Sequence, residues 1–131
     1  NIRVNEMDLL KGEDIPEDFK ESFDRIMIDV PCSNTGVFRR RVDARWRLMP
    51  GFETQMAKLQ SRLVHAVIPL LKPGGTLVYS TCSIEAEENS ETIASIVEHF
   101  PGLRKVEEVL LMPSPVNDGA YAALLGSLAA G

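Results

Sequence analysis

The amino-acid sequence predicts an α/β fold whose sheet is mostly parallel and ends in an antiparallel pair of strands. Strand-like apolar runs at residues 23–30 and 76–81 alternate with two segments of helical periodicity. Two further strand-like runs, at residues 103–111 and 120–125, are separated only by a Pro-rich loop. Alternating strands and helices are typical of parallel sheets, and consecutive strands joined by a loop favour antiparallel pairing.

The first part of the chain is predicted to contain two strands and two irregular segments. Residues 2–5 are interpreted as the end of a short strand, and the charged residues 11–22 as a connector. The run 23–30 is rich in apolar and β-branched residues, and Pro31 ends it because proline has no N–H for a sheet ladder. No periodicity survives between residues 33 and 52, and such a long loop in a compact domain is usually functional or disordered.

Two amphipathic helices are predicted from apolar residues at spacings of three and four. The first begins near Thr54, which is a suitable N-cap, and ends before the Lys-Pro-Gly-Gly segment 72–75. The second opens with three glutamates, whose charges suit a helix N-terminus, and ends at Pro101. The expected buried faces are Met56, Leu59, Leu63, Val67 and Leu70 in the first helix and Ile93, Ile96, Val97 and Phe100 in the second.

Length and composition indicate one globular domain. The 131 residues are 44% hydrophobic and 25% charged, and the net charge of −5 means that any nucleic-acid site must be local. No apolar run approaches the ~20 residues that cross a bilayer, and the N-terminus lacks signal-peptide character, so we expect a cytoplasmic location without a membrane partner. Two cysteines cannot supply the four ligands of a structural zinc site, and neither histidine has metal-ligand spacing to a cysteine, so no metal site is predicted.

The two cysteines each follow one of the central predicted strands, Cys32 within Asp-Val-Pro-Cys-Ser and Cys82 within Ser-Thr-Cys-Ser. Ligands bind at the carboxyl ends of strands in open parallel sheets, so two thiols at this edge indicate covalent chemistry on a shared substrate. Cys82 also precedes a predicted helix start, where the helix dipole would favour a thiolate. A buried inert thiol and a redox dithiol are the alternative interpretations.

Asp29 ends an otherwise apolar strand, three residues before Cys32. A carboxylate is costly to desolvate unless it is paired or used, so Asp29 is a candidate proton donor. The alternative interpretation is a solvated loop aspartate that caps a local turn.

The segment 39–47 contains five arginines and the only tryptophan of the chain. Arginines with an interleaved aromatic side chain suit phosphate contact and base stacking, whereas a solvated charged surface is the alternative. The candidate RNA-binding residues are Arg39, Arg40, Arg41, Arg45 and Trp46.

These motifs resemble the RNA cytosine-C5 methyltransferase family, in particular the bacterial Sun/Fmu ribosomal-RNA methyltransferases. The resemblance runs in order across nearly the whole chain, and the two cysteine motifs together are specific. The matching segments are residues 29–36, Arg39-Arg40 with Asp43 and Trp46, residues 72–75, residues 79–84, and Glu88-Asn89.

The resemblance implies the C-terminal half of a Rossmann-like, S-adenosylmethionine-dependent methyltransferase sheet. It implies that Cys82 attacks C6 of a cytosine in RNA, ribosomal rather than transfer RNA, so that C5 becomes nucleophilic toward the methyl group. Asp29 would share a proton at N3, and Cys32 would assist release of the methylated RNA. The implied cofactor-binding residues are Asp8, at the adenine, together with Asp29 and Pro31.

The sequence also departs from the family pattern. The Gly-rich cofactor loop and the ribose-binding acidic residue are absent, Asn34 replaces a common glycine, and Asp-Gly-Ala-Tyr at 118–121 stands where Asp-Gly-Phe-Phe is usual. In the family's strand order, residues 1–5 have no neighbouring strand in this chain.

We therefore expect one partial methyltransferase domain over residues 1–131, whose N-terminal cofactor-loop half is absent. The isolated chain should bind the cofactor poorly and turn over little or nothing. The longer parent protein that contains it should be an active methyltransferase. A non-catalytic RNA-binding or assembly module is the alternative function. The oligomeric state stays open, although an unpaired sheet edge favours association.

Overall fold

A computed structural model describes residues 1–12 and 15–129, which form the predicted α/β fold. The helices and strands in chain order are β1 (Phe23–Asp29), α1 (Phe52–Val67), β2 (Leu71–Thr81), α2 (Ser90–His99), β3 (Leu103–Leu111) and β4 (Ala120–Ser127). Short 3-10 helices occupy Glu17–Phe19, Thr35–Val37, Val42–Arg47 and Ile68–Leu70.

The four strands of the described residues form one mixed sheet in the order β1-β2-β4-β3. β1 and β2 are parallel, and their register pairs Asp29 with Ser80. β4 is antiparallel to both β2 and β3, so the predicted final antiparallel pair is confirmed. Because β4 inserts between β2 and β3, one of the three pairings in the described sheet is parallel, fewer than a mostly parallel sheet implies.

Both helices contribute to one hydrophobic core beneath β2. Leu77 and Tyr79 of β2 are fully buried in this core, with Val64 from α1 and Ile93 and Ile96 from α2. Alternate β2 residues are buried and half-buried, as the period of two in a strand requires. The core therefore lies on the side of β2 from which Leu77 and Tyr79 project.

The face that the first helix presents to the core matches the predicted face in part. Its buried residues are Gln60, Val64 and Val67, whereas Met56 and Leu59 are only half-buried. Val67 is buried as predicted, and Leu63 and Leu70 pack partly against the core. Apolar spacing missed Val64 and also Gln60, whose Nε2 donates to a buried carboxylate oxygen. In α2 the predicted Ile93 and Ile96 are buried, and Val97 and Phe100 pack partly against the core.

Several predicted element boundaries were wrong. Residues 2–5 form no strand, since the described sheet holds no strand that pairs with them. The N-cap of α1 is Gly51, with a left-handed φ of 81°, rather than Thr54. The segment 72–75 belongs to β2 instead of serving as the helix stop, because α1 already ends at Val67.

The irregular segments also differ in detail from the prediction. The loop 33–52 contains two 3-10 helices, which have too few residues to show a periodicity. Of the connector 11–22, residues 13 and 14 lie outside the described residues. In the part of the chain that the structure describes, no helix is long and apolar enough to cross a membrane.

Candidate active site at the two cysteine loops

The structure brings the two cysteines together at one edge of the sheet. Cys32 lies in the loop after β1 (residues 30–36, the Cys32 loop), and Cys82 in the loop after β2 (residues 82–89, the Cys82 loop). The parallel pairing continues into the first loop, since the Val30 N–H donates to the Ser80 carbonyl oxygen at 3.1 Å. The two Sγ atoms are 3.0 Å apart, and both cysteines are free thiols. Parallel neighbouring strands thus deliver both thiols to the same place.

A buried polar network lies directly behind the cysteines. It consists of Ser33, Gln60, Ser83 and Glu88, and is called the serine–glutamate network below. Glu88 Oε2 accepts hydrogen bonds from the Ser33 backbone N–H at 3.0 Å and from Gln60 Nε2 at 2.8 Å. Its Oε1 accepts from the Ser83 hydroxyl at 3.0 Å. One carboxylate therefore binds the residue that follows each cysteine, which fixes the two loops relative to each other.

Hydrogen bonds next to the serine–glutamate network explain where the second helix begins. The Tyr79 hydroxyl donates to the Glu88 carbonyl oxygen at 2.6 Å, and the Thr81 hydroxyl donates to Asn89 Oδ1 at 2.7 Å. Asn89 in turn donates to the Ser83 carbonyl oxygen at 2.9 Å. These bonds hold residues 86–89 in a turn, so α2 starts at Ser90 and not at the glutamates as predicted.

Two glycines permit a close approach of three chain segments beside the thiols. The Gly36 N–H donates to the Cys82 carbonyl oxygen at 2.9 Å, and the Gly119 N–H donates to the Gly36 carbonyl oxygen at 2.7 Å. A Cβ atom on Gly36 would lie 2.6 Å from the Gly119 carbonyl oxygen and 2.7 Å from that of Cys82. Only glycine therefore fits where the Cys32 loop meets the Cys82 loop and the segment before β4.

The two thiols differ in acidity. The hydrogen bond from the Cys32 thiol to the Cys82 sulfur lowers the pKa of Cys82 to about 7, with a smaller lowering from Arg41, while burial and the charge of Asp29 oppose it. The same hydrogen bond and burial raise the pKa of Cys32. Cys82 is also the more exposed of the two. It is therefore the thiol that ionises first, and the thiolate is the nucleophilic form.

The expected source of this acidity was wrong. The sequence placed Cys82 just before a helix N-terminus, but α2 begins eight positions later, at Ser90. A helix dipole acts within about one turn, so it does not act on Cys82. The hydrogen bond from Cys32 takes its place as the main cause.

Asp29 is exposed beside an open cavity of about 310 Å³ that Cys82 and Ser80 also line. The Ser80 hydroxyl donates to Asp29 Oδ1 at 3.0 Å, which orients the carboxylate. Pro31 is exposed as well, and its carbonyl oxygen accepts a hydrogen bond from Gln60 Nε2 at 3.0 Å. The predicted Asp29 and Cys82 thus share one cavity, while Cys32 is buried behind them.

The arginine segment (residues 39–47) is held mainly by ion pairs. Arg39 and Arg40 both pair with Asp118, at 3.5 and 2.9 Å, and Arg39 also donates to the Pro115 carbonyl oxygen at 2.7 Å. Trp46 is 85% exposed. The remaining predicted residues of this segment, Arg41 and Arg45, are also exposed.

No described polar contact connects the predicted cofactor residue Asp8 to the cysteine loops. Its carboxylate accepts the Leu10 backbone N–H at 2.9 Å and pairs with Lys11 at 3.9 Å. Both contacts are local to the irregular N-terminal segment.

Sequence reasoning missed the residues that position the cysteines. Ser33 and Ser83 were noticed only as parts of matching motifs, Glu88 was interpreted as a charge that opens the second helix, and Gln60 was not noticed. A serine directly after each cysteine was the available signal, since two buried hydroxyls need a common polar partner. Gln60 gave no signal, because only the three-dimensional structure shows that it faces inward.

Comparisons with known proteins show which family the chain resembles. A family model described as 16S rRNA methyltransferase RsmB/F matches residues 1–124. Ribosomal RNA small subunit methyltransferase B of Enterobacter sp. (strain 638) is 53% identical over 78 residues, 60% of this chain and 18% of that protein. The protein of the same name from Proteus mirabilis (strain HI4320) is 42% identical over 104 residues, 79% of this chain and 25% of that protein.

A solved structure is also similar. The crystal structure of NSun6 from Pyrococcus horikoshii with SFG has a TM-score of 0.81 and 25% sequence identity, covering 99% of this chain and 35% of that one. The matched region of this chain spans a quarter or less of the length of the two bacterial relatives. The family model covers nearly all of the chain, which belongs to the RsmB/F family of 16S rRNA methyltransferases.

Proposed function

We propose that this chain is the catalytic segment of an S-adenosylmethionine-dependent RNA cytosine-C5 methyltransferase that acts on ribosomal RNA. The observation that carries the proposal is the pair of thiols 3.0 Å apart, of which Cys82 has the lowered pKa and lines the cavity. A thiolate beside an open cavity is suited to add to a flat, electron-poor ring. The names of the bacterial relatives supply the substrate class.

Cys82 carries the covalent chemistry in this proposal. Its thiolate forms a bond to C6 of the cytosine, which moves electron density to C5. Asp29 lies on the same cavity and shares a proton at N3 as the negative charge develops. When bound, S-adenosylmethionine would supply an electrophilic methyl group. C5 would bond to this methyl as the methyl–sulfonium bond breaks, and S-adenosylhomocysteine would be the leaving group.

Cys32 acts at the end of the reaction. The C5 proton passes to a solvent base, the bond between C6 and Cys82 breaks, and Cys82 leaves as a thiolate. The Cys32 thiol already donates toward the Cys82 sulfur, so it stabilises this leaving thiolate. Its buried position keeps it from competing for the cytosine.

The cofactor-binding residues in this proposal are Asp8, Asp29 and Pro31. Asp29 fits the role, because its carboxylate is exposed at the cavity and suits an ammonium group, while Ser80 fixes its orientation. Asp8 and Pro31 are included on the family resemblance. The isolated chain is proposed to bind the cofactor weakly and to need the rest of a longer protein for turnover.

The arginine segment is proposed to bind the RNA. Arg41 is exposed and acts electrostatically on Cys82, so a phosphate near Arg41 would lie close to the cavity. Trp46 offers an exposed aromatic surface for a base, and Arg39, Arg40 and Arg45 add positive charge. A cytoplasmic location stays a prediction that accompanies the ribosomal-RNA substrate.

A trapping experiment tests this function. The longer protein that contains this segment is incubated with cofactor and RNA whose target cytosines carry fluorine at C5, so that the C5 proton cannot be lost. We expect a covalent protein–RNA adduct in the wild type and in Cys32→Ala, and none in Cys82→Ala. An adduct in Cys82→Ala would show that the nucleophile is assigned wrongly.

The same experiment separates the alternative functions. RNA binding without any adduct in the wild type would favour the non-catalytic RNA-binding or assembly module. The dithiol redox interpretation predicts instead a disulfide between Cys32 and Cys82 under mild oxidation, with no adduct to RNA.

A further inference from the structure

Asn34 occupies a special place between the two cysteine loops. Its backbone is in the left-handed region, with φ 63° and ψ 24°, which asparagine tolerates better than most residues. This conformation turns its side chain back toward both cysteines. The Asn34 side chain donates from Nδ2 to the Cys32 carbonyl oxygen at 3.0 Å, and its Oδ1 accepts from the Cys82 thiol at 3.0 Å.

The first of these contacts fixes the orientation of the amide. A carbonyl oxygen can only accept, so the atom of Asn34 that faces Cys32 O must be the Nδ2 donor. The Oδ1 atom must then face the Cys82 sulfur. An amide oxygen next to a sulfur favours the protonated thiol, which can donate to it, over the thiolate, which it repels.

We propose that Asn34 is a positioning residue for Cys82: its Oδ1 fixes the direction of the thiol and opposes loss of its proton, while Cys32 favours that loss. This inference rests on the proposed role of Cys82 as nucleophile. The opposing effects of Cys32 and Asn34 then set the fraction of Cys82 that is present as the reactive thiolate. A different residue at position 34 would change that fraction.

Two charged side chains, Asp29 and Arg41, also act on Cys82. Asp29, at the end of β1, raises the pKa of Cys82, and Arg41, at the start of the arginine segment, lowers it. Neither contacts Asn34 through a hydrogen bond or ion pair among the described residues. A change at position 34 therefore leaves these two contributions in place.

The test compares two substitutions that act in opposite directions. Asn34→Gly removes the acceptor and suits the left-handed backbone, so it should lower the pH at which Cys82 is half-maximally alkylated by iodoacetamide by about half to one unit. Asn34→Asp keeps the shape and adds negative charge, so it should raise that pH by a similar amount. The rate at Cys82 is read from its own peptide by mass spectrometry across a pH series.

Matched controls separate this effect from folding and from charge alone. Asn5→Gly and Asn5→Asp change an exposed asparagine in the irregular N-terminal segment and should leave the profile of Cys82 unchanged. A merely structural role of Asn34 would move both of its variants in the same direction or not shift the midpoint, and either result would overturn the proposal.

This readout needs no RNA. The proposed role of Asn34 can therefore be rejected independently of the trapping experiment, which tests whether Cys82 is the nucleophile.

Discussion

The cysteine loops and the arginine segment are neighbours in the chain, but the structure holds them by opposite means. The cysteine loops are fixed by buried hydrogen bonds to Glu88, which is fully buried. The arginine segment contains one short 3-10 helix, Val42–Arg47, and its Arg40 forms an exposed ion pair with Asp118, while Trp46 is exposed to solvent. Buried hydrogen bonds are costly to break, whereas exposed ion pairs contribute little to stability.

This difference matches the demands of the two proposed tasks. Covalent chemistry needs two sulfur atoms held at a fixed separation, which a buried network provides. A flexible polyanion needs exposed charge and an aromatic surface that can adjust to it. We therefore expect substitutions in the first region to lower stability markedly, and those in the second to change mainly RNA binding.

The largest expected effect is that of Glu88→Ala. It leaves the Ser33 N–H, the Gln60 amide and the Ser83 hydroxyl without their carboxylate acceptor, so the free energy of unfolding should fall by about 3 kcal/mol. Denaturant unfolding measures this. Glu87→Ala removes an exposed carboxylate one position earlier and should change stability by less than about 0.5 kcal/mol. Equal effects of the two variants would break the contrast between the regions.

Gly36→Ala should have the next largest effect. Its Cβ would overlap the carbonyl oxygens of Gly119 and Cys82, so the loops must move apart at a cost of about 2 kcal/mol. The rate of Cys82 alkylation near neutral pH should also fall, because the hydrogen bond from Cys32 weakens. Gly102→Ala, where an added Cβ meets nothing within 4 Å, is the matched control. Unchanged unfolding and alkylation in Gly36→Ala would argue against a fixed loop contact.

Asp118→Ala should change stability by only about 0.5 kcal/mol, because its ion pairs with Arg39 and Arg40 are largely exposed. It removes the charge that neutralises these two arginines, so affinity for single-stranded RNA should rise and depend more steeply on salt. Fluorescence titration at two salt concentrations measures both quantities. Weaker RNA binding by this variant would mean that Asp118 orders the arginines for RNA and does not compete with it.

Trp46→Ala should have the smallest effect on stability, since the side chain is 85% exposed. Its loss should nevertheless weaken single-stranded RNA binding by about 1–3 kcal/mol through lost base stacking. Val116→Ala, at an exposed apolar residue of the loop before β4, serves as the comparison. RNA affinity that is equal in both variants would remove Trp46 from the proposed RNA surface.

The two regions were also predictable from the sequence to different degrees. The approach of Cys32 and Cys82 could be predicted, because each follows an apolar strand and parallel strands end at the same edge. The serine–glutamate network could not, because Glu88 was interpreted as a helix-opening charge and Gln60 interrupts no apolar pattern. The local sequence does not show which polar side chains are buried together. For the same reason, the sequence-based prediction placed the start of α2 too early.

In the arginine segment, composition predicted exposure but not pairing. Trp46 and the arginines are exposed, yet Asp118, which is more than seventy positions away from Arg39 and Arg40, neutralises two of them. Residues 2–5 likewise have a strand-like local sequence but form no strand. A strand needs a neighbouring strand to pair with, which the local sequence does not indicate.

The unequal roles of the two thiols are tested most directly by alkylation of the wild-type chain over a pH series, with each cysteine followed in its own peptide. The lowered pKa of Cys82 predicts that its thiolate fraction, and with it its rate, rises as the pH increases through about 7. Cys32, buried and with a raised pKa, should stay largely unmodified over this range. Equal rates at the two cysteines, or faster reaction at Cys32, would contradict the assignment of Cys82 as the nucleophile.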